Sequence, residues 1–274
     1  MQSTNAIAME EPALFEPQHW LESFRRAKEA NDRDALGRLR QSVQKETLEV
    51  LKTMSYHVNR EILVDLHYVR PTVATTPPSQ LPSDRTTFHV LNSDGVDVAS
   101  FLKEKRGLNP AVVVCGSVRR LEDLSIDKQA SIYCRSSLSA SLKETGGQAS
   151  YVPRVVVFRA SENRGYAFLR DPKEMAFICS RELSRALPGS DGRLRREDAK
   201  EIETQIKNIF RCALQNGHDS LVLGHGLNQS FLAEPFLRVF KSRSFSKTFR
   251  YVAFAIQEED GILKSFQEKF NENE

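Results

Sequence analysis

Five unbroken apolar runs constrain this chain more than any other feature: Ala111-Val112-Val113-Val114-Cys115, Val155 to Phe158, Met175 to Cys179, Ser220 to Leu223 and Tyr251 to Ile256. A strand with one wet face alternates apolar and polar residues. A run that is apolar throughout belongs in the middle of a sheet covered on both faces. Helical stretches separate some of the runs. The clearest is Lys200 to Gln215, which sets Ile202, Ile206, Ile209, Phe210 and Ala213 on one face, with Gly217 beyond it as a left-handed terminator. Central strands alternating with helices predict a layered α/β domain with a mostly parallel sheet.

Ahead of the runs the pattern is looser. Residues 1 to about 20 hold two Glu-Pro pairs and little periodicity, which predicts a flexible lead-in. Asn31-Asp32 can cap a helix in which Leu36, Leu39, Val43, Thr47, Val50 and Leu51 recur every three or four residues, as far as about Met54. Glu61 to Val69 alternates as a half-buried strand does, and Thr86 to Leu91 predicts a second strand. Between them lies a loop holding Pro71, Pro77, Pro78 and Pro82. Val98 to Lys105 predicts a short helix ended at Gly107, and Pro188 to Arg196 a polar loop.

Composition narrows the function classes. A length of 274 residues suits one large domain or two small ones. With 40% apolar and 27% charged residues, the chain is neither collagenous nor wholly disordered. No stretch approaches the roughly 20 apolar residues of a membrane helix, and Met1 to Glu11 lacks a signal-peptide core, so an intracellular protein, cytoplasmic or nuclear, is expected. Cys115, Cys134, Cys179 and Cys212 stand singly, with no CxxC pair, and predict buried thiols with no zinc site or disulfide frame. Neither metal nor cofactor is expected. The charge of +3, from 39 basic and 36 acidic residues, gives little steering toward nucleic acid.

Ligands of open α/β sheets bind at the carboxyl ends of the strands. Two segments qualify by position. One is Cys115-Gly116-Ser117 with the loop to Lys128 and a helix from about Gln129. The other is Gly224-His225-Gly226-Leu227-Asn228-Gln229-Ser230, with a helix from about Phe231 or Pro235. Glycines between a strand and a helix N-terminus let backbone N–H groups approach a phosphate, although a tight turn asks for the same residues. Glu122, Asp123 and Asp127 could supply a carboxylate, or simply decorate a charged surface loop. His225 could contact an anion or act as a base, and Cys115 could be a nucleophile beside it, or both could be packing and turn residues. Phe231 would either stack on a ribose or pack under the sheet. Lys241 to Arg250 interleaves Lys241, Arg243, Lys247 and Arg250 with Phe245 and Phe249, a pattern shared by single-strand nucleic-acid grips and by helix ends leading into a strand.

Read in order, several segments resemble the microbial-type poly(ADP-ribose) glycohydrolase family. They are Gln44-Lys45-Glu46-Thr47-Leu48-Glu49, Cys134-Arg135-Ser136-Ser137-Leu138, Val155-Val156-Val157-Phe158-Arg159, Asn216-Gly217-His218-Asp219-Ser220-Leu221-Val222-Leu223-Gly224 and Phe254-Ala255-Ile256. The resemblance implies a three-layer macrodomain-like fold with a mixed, mostly parallel central sheet and an N-terminal helical extension. Its domain would span 25–260, between a flexible segment 1–24 and a tail 261–274. It also implies ADP-ribose or an ADP-ribosylated protein as partner, held by Gly116, Ser117, Gln129, Gly224, His225, Gly226 and Phe231.

The site departs from the family pattern in three places. Where the family has a Gly-rich loop, Cys115 to Asp127 holds only Gly116, among Arg119, Arg120, Glu122 and Asp123. The family's Gln-Glu-Glu falls on Gln129, Ala130 and Ser131, and neither of the last two can deliver a proton as a positioned carboxylic acid does. Its Gly-Cys-Gly falls on Leu227, Asn228 and Gln229. The expectation is a catalytically inactive protein with a retained scaffold. The alternatives are a glycohydrolase using Asp123, Asp127 or His225 as replacements, or a protein-interaction module with no nucleotide ligand.

Overall fold

The computed structural model describes residues 15–59, 61–68, 86–116, 131–138, 149–183, 194–227, 229–257 and 261–271. Two helices, α1 (Pro17–Glu29) and α2 (Arg33–Thr53), lead into an antiparallel hairpin of β1 (Ser55–Val58) and β2 (Ile62–Asp65). There follow β3 (Thr87–Leu91), α3 (Gly95–Arg106), β4 (Pro110–Cys115), α4 (Ser131–Arg135), β5 (Ser150–Arg159) and β6 (Phe168–Ser180). The chain continues through α5 (Arg196–Gln215), β7 (Ser220–His225), α6 (Ala233–Lys241), β8 (Tyr251–Ala255) and α7 (Ile262–Asn271). The five apolar runs all become strands of one six-stranded sheet, in the order β3-β8-β7-β4-β6-β5. Every pairing in it is parallel except that of β5 with β6. The sheet is thus mixed and mostly parallel, as the sequence predicts.

Period-two alternation splits each apolar strand between two cores. Ala111, Val113 and Cys115 of β4, Leu221 and Leu223 of β7 and Val252 and Phe254 of β8 meet Ile206, Phe210, Phe236 and Phe266 from α5, α6 and α7. Val112, Val114, Val222, Ala253 and Ala255 face the other way, onto α1 to α4, where Trp20, Val43, Val96 and Ile132 are buried. Helices therefore cover both faces. The small residues of β8 lie on the second face, so α3 can come close there.

Two terminal expectations need correction. Part of the predicted lead-in is helix α1: Pro17 stands in its first turn, where a missing N–H costs nothing, and Trp20, Phe24 and Ala27 are buried on one side. The Trp20 indole donates to the Leu39 carbonyl (2.9 Å) and its ring stacks on Phe24. The predicted tail from 261 carries α7, whose Phe266 and Phe270 pack against Phe254. A shorter strand than expected forms at Ile62–Asp65, followed by a single 3-10 turn, and its partner β1 had no clear signal in the sequence. The Pro71 to Pro82 loop and most of Pro188 to Arg196 lie outside the described residues.

Candidate functional site at the carboxyl ends of β4 and β7

The two glycine-bearing segments meet, because β4 and β7 are parallel neighbours. Their register shifts near the ends. Val113 pairs with Leu223 and Val114 with His225, so Gly224 is the extra residue of a bulge. A side chain on Gly224 would run into the Ala255 carbonyl of β8. Gly226 has φ +82°, and a Cβ there would run into the Cys115 carbonyl of β4. Both glycines are therefore demanded by strand backbone passing close to them. Gly116 differs: among the described residues nothing lies within 4 Å of where its Cβ would point.

The N–H groups of this crevice are partly engaged. That of Gly116 donates to the Ser180 carbonyl at the end of β6 (2.9 Å), and that of Leu227 closes a tight turn onto the Gly224 carbonyl (3.2 Å). A 3-10 turn, Ser230–Leu232, then leads into α6. Leu227 and Leu232 point into the core, and Phe231 lies half-buried against it. Phe231 thus packs against the sheet's helical cover with part of its ring left in solvent.

Cys115 is 3% exposed, and burial, with Cys179 adding to it, pushes its thiol up to about 12. A thiol so disfavoured as thiolate is a packed residue and no nucleophile. Of His225 only the main chain, in β7, is described, and α4 starts at Ser131, whose side chain is likewise outside the description. Ser117, Arg119, Arg120, Glu122, Asp123, Asp127, Gln129, Ala130 and Asn228 lie outside the described residues. Among the described residues no group of three His, Cys, Asp or Glu could hold a metal ion, and no helix is long and apolar enough to cross a membrane.

The basic and aromatic stretch from Lys241 separates into two roles. Phe245 and Phe249 are buried edge-on against Phe210, unavailable for stacking on bases, while the Arg250 guanidinium reaches the Asp219 carboxylate at 3.5 Å. The interleaving is core packing beside a charged surface.

Apart from Gly224 and Ala255, which meet at the crevice, the segments that carry the family resemblance do other work. Arg135, 1% exposed, pairs with Asp94 and, at 2.9 Å, with Asp97, and donates to the Arg159 carbonyl. Burial opposes its charge, but the two carboxylates more than offset that and hold the guanidinium more firmly protonated than usual. Asp94 also caps α3 by accepting from the Val96 and Asp97 N–H groups. Arg159, fully buried, pairs with Glu46 of α2 (2.7 Å) and stacks over Phe168. Thr47 donates to the Cys134 carbonyl, and the Ser137 hydroxyl accepts from the Val156 N–H. At the amino end of β7, the His218 ring bridges the Asn109 carbonyl and the Tyr151 hydroxyl, each at 3.0 Å, and burial lowers its pKa. These partners could not be assigned from sequence, where Glu46 and Asp94 look like ordinary helix-surface acids.

No protein-family model matches the chain, and neither does any curated protein. Solved structures do. The poly(ADP-ribose) glycohydrolase of Thermomonospora curvata superposes with a TM-score of 0.67 at 21% identity, over 84% of this chain and 99% of that one. The same enzyme bound to the inhibitor ADP-HPD gives 0.63 at 22% identity, with the same coverage. The poly(ADP-ribose) glycohydrolase of Deinococcus radiodurans in complex with ADP-ribose gives 0.53 at 14%, over 69% of this chain and 86% of that one. The six-stranded sheet, its two helical covers and the crevice between β4 and β7 thus form the fold of the bacterial poly(ADP-ribose) glycohydrolases.

Proposed function

We propose that this chain is a catalytically inactive, macrodomain-like protein that binds ADP-ribose at the carboxyl ends of β4 and β7. One observation carries the proposal. The helix that follows β4 opens on Ser131, preceded by Ala130, so the fold of a glycohydrolase is joined to a sequence with no carboxylic acid where the resemblance requires one. Cleaving a bond between sugars calls for a proton delivered to the leaving oxygen, and removing such an acid costs about 10²–10⁴ in rate. Binding makes no such demand. Among the described residues nothing crowds the side of Gly116, which leaves room for a diphosphate beside the Gly224-His225-Gly226 turn, with the half-buried Phe231 against a ribose and, as the resemblance implies, Ser117 and Gln129 as further ligands. The ADP-ribose held by the Deinococcus enzyme and the inhibitor held by the Thermomonospora enzyme support this class of ligand.

Calorimetric titration with ADP-ribose at low salt tests the binding half. A micromolar Kd, roughly −8 kcal/mol, supports it. No heat up to millimolar ligand would leave a protein-interaction module. Turnover sensitive to Asp123, Asp127 or His225 substitutions would restore the reading of an active enzyme.

A further inference from the structure

At the other end of the molecule a groove of about 1540 Å³ runs between the start of α1, one face of α2, strand β1 and the start of β6. Strand β6 advances about 3.3 Å per residue, so Leu169 in the groove wall lies roughly 35 Å along the strand from Ser180 at the crevice. The groove exceeds the roughly 300–1,000 Å³ of small-molecule pockets, which suits an extended ligand. Its walls are largely apolar, with Leu21, Leu48, Leu63 and Phe168 among them, and Leu63 is 55% exposed.

The charges around it are unequally matched. Two of its acids are engaged: Glu46 by Arg159 at 2.7 Å and Glu49 by Lys52 at 2.7 Å. Glu16 is engaged as well. The cations Lys45, Arg164 and Arg170 line the same groove, are exposed, and have no ion-pair partner among the described residues. Asp171 stands next to Arg170 and is the nearest counter-charge in sequence. Arg159 is wedged against Phe15 and Phe168, and its Nε–H has no hydrogen-bond partner among the described residues.

We propose that this groove docks an acidic peptide segment of a partner protein whose apolar residues alternate with Glu or Asp. The aliphatic walls would take the apolar side chains, and Lys45, Arg164 and Arg170 the carboxylates. A nucleic acid fits less well, because largely apolar walls and the acids Glu16, Glu46 and Glu49 beside them do not suit a continuously charged backbone. The proposal is independent of ADP-ribose binding at the opposite end.

Fluorescence anisotropy tests it, using the full chain and a short labelled peptide of alternating Glu and Leu. Its Lys-Leu counterpart and a labelled oligothymidylate serve as controls. The expected result is binding of the Glu-Leu peptide alone, weakened by salt and at least about tenfold by the triple reversal Lys45→Glu, Arg164→Glu, Arg170→Glu. All three side chains are exposed, so the variant should keep the wild-type melting temperature and ADP-ribose titration. Four results would overturn the proposal: no binding, equal binding by the variant, tighter binding of the oligothymidylate, or binding only once residues 1–14 are removed, since the chain's own terminus would then be the occupant.

Discussion

The buried polar network around Arg135 and Arg159 and the crevice at the ends of β4 and β7 belong to one fold, yet they hold their residues for different reasons. In the network the described side chains answer one another: Arg135 is pinned by Asp94 and Asp97, Arg159 by Glu46, and Ser137 by the Val156 backbone. Each is fixed by partners on another element, so a change to one strands the others. In the crevice, among the described residues, Gly224 and Gly226 are fixed by the backbone of neighbouring strands, while nothing crowds the side of Gly116. The network is held by side chains from several elements, the crevice glycines by strand backbone. On the proposed reading, the chain carries Ala130 and Ser131 where the resemblance calls for carboxylates and keeps the ion pairs of Arg135 and Arg159.

The largest expected effect tests the network. Arg135→Ala takes the guanidinium away from the buried Asp94 and should cost about 3–5 kcal/mol in urea unfolding. A loss under about 1 kcal/mol would mean the network is incidental to the fold. Gly226→Ala probes the crevice in the same assay. Left-handed backbone strain of about 1–3 kcal/mol, with the collision at the Cys115 carbonyl added, should lower stability whether or not ligand is present. If that variant folds normally and loses only ADP-ribose, Gly226 is a ligand glycine and the contrast fails.

A pH series addresses His218. Its folded pKa lies below its ordinary 6.5, because burial disfavours the imidazolium. Above that value the ring is neutral in both states and its stabilising contribution is fully present. As pH falls below it the unfolded chain takes up the proton first, and that contribution is lost until the folded ring also protonates. Stability should fall by up to about 1.4 kcal/mol per pH unit across that window, and His218→Asn should remove this component of the slope. The smallest effect belongs to Gly116→Ala, where open space predicts a change within about 0.5 kcal/mol in stability. The same substitution should weaken ADP-ribose binding by crowding the proposed diphosphate position.

Much of the fold was legible because it rests on local patterns. The runs from Ala111 to Ile256 declared buried strands, and Gly107 ends α3 with the left-handed terminator that helix ends favour. What escaped was set by contacts across the chain. Helix α1 hid behind Glu-Pro pairs although Pro17 suits a first turn. Helix α7 escapes a reading of local pattern because it closes the chain, although Leu263, Phe266 and Phe270 carry helical spacing. At the site, the glycines of β7 were visible, but whether they face a ligand or a strand depends on where Ala255 and Cys115 lie, and no spacing in the sequence records that. Phe245 and Phe249 show the same limit, since only the fold places them on Phe210.

Release of ADP-ribose from poly(ADP-ribose) by the unaltered chain, measured beside its calorimetric affinity for ADP-ribose, tests most directly whether scaffold and chemistry have parted. The account predicts binding with release no faster than in buffer. Sustained release that disappears in Asp127→Asn would contradict it and show that the crevice has recruited a new acid.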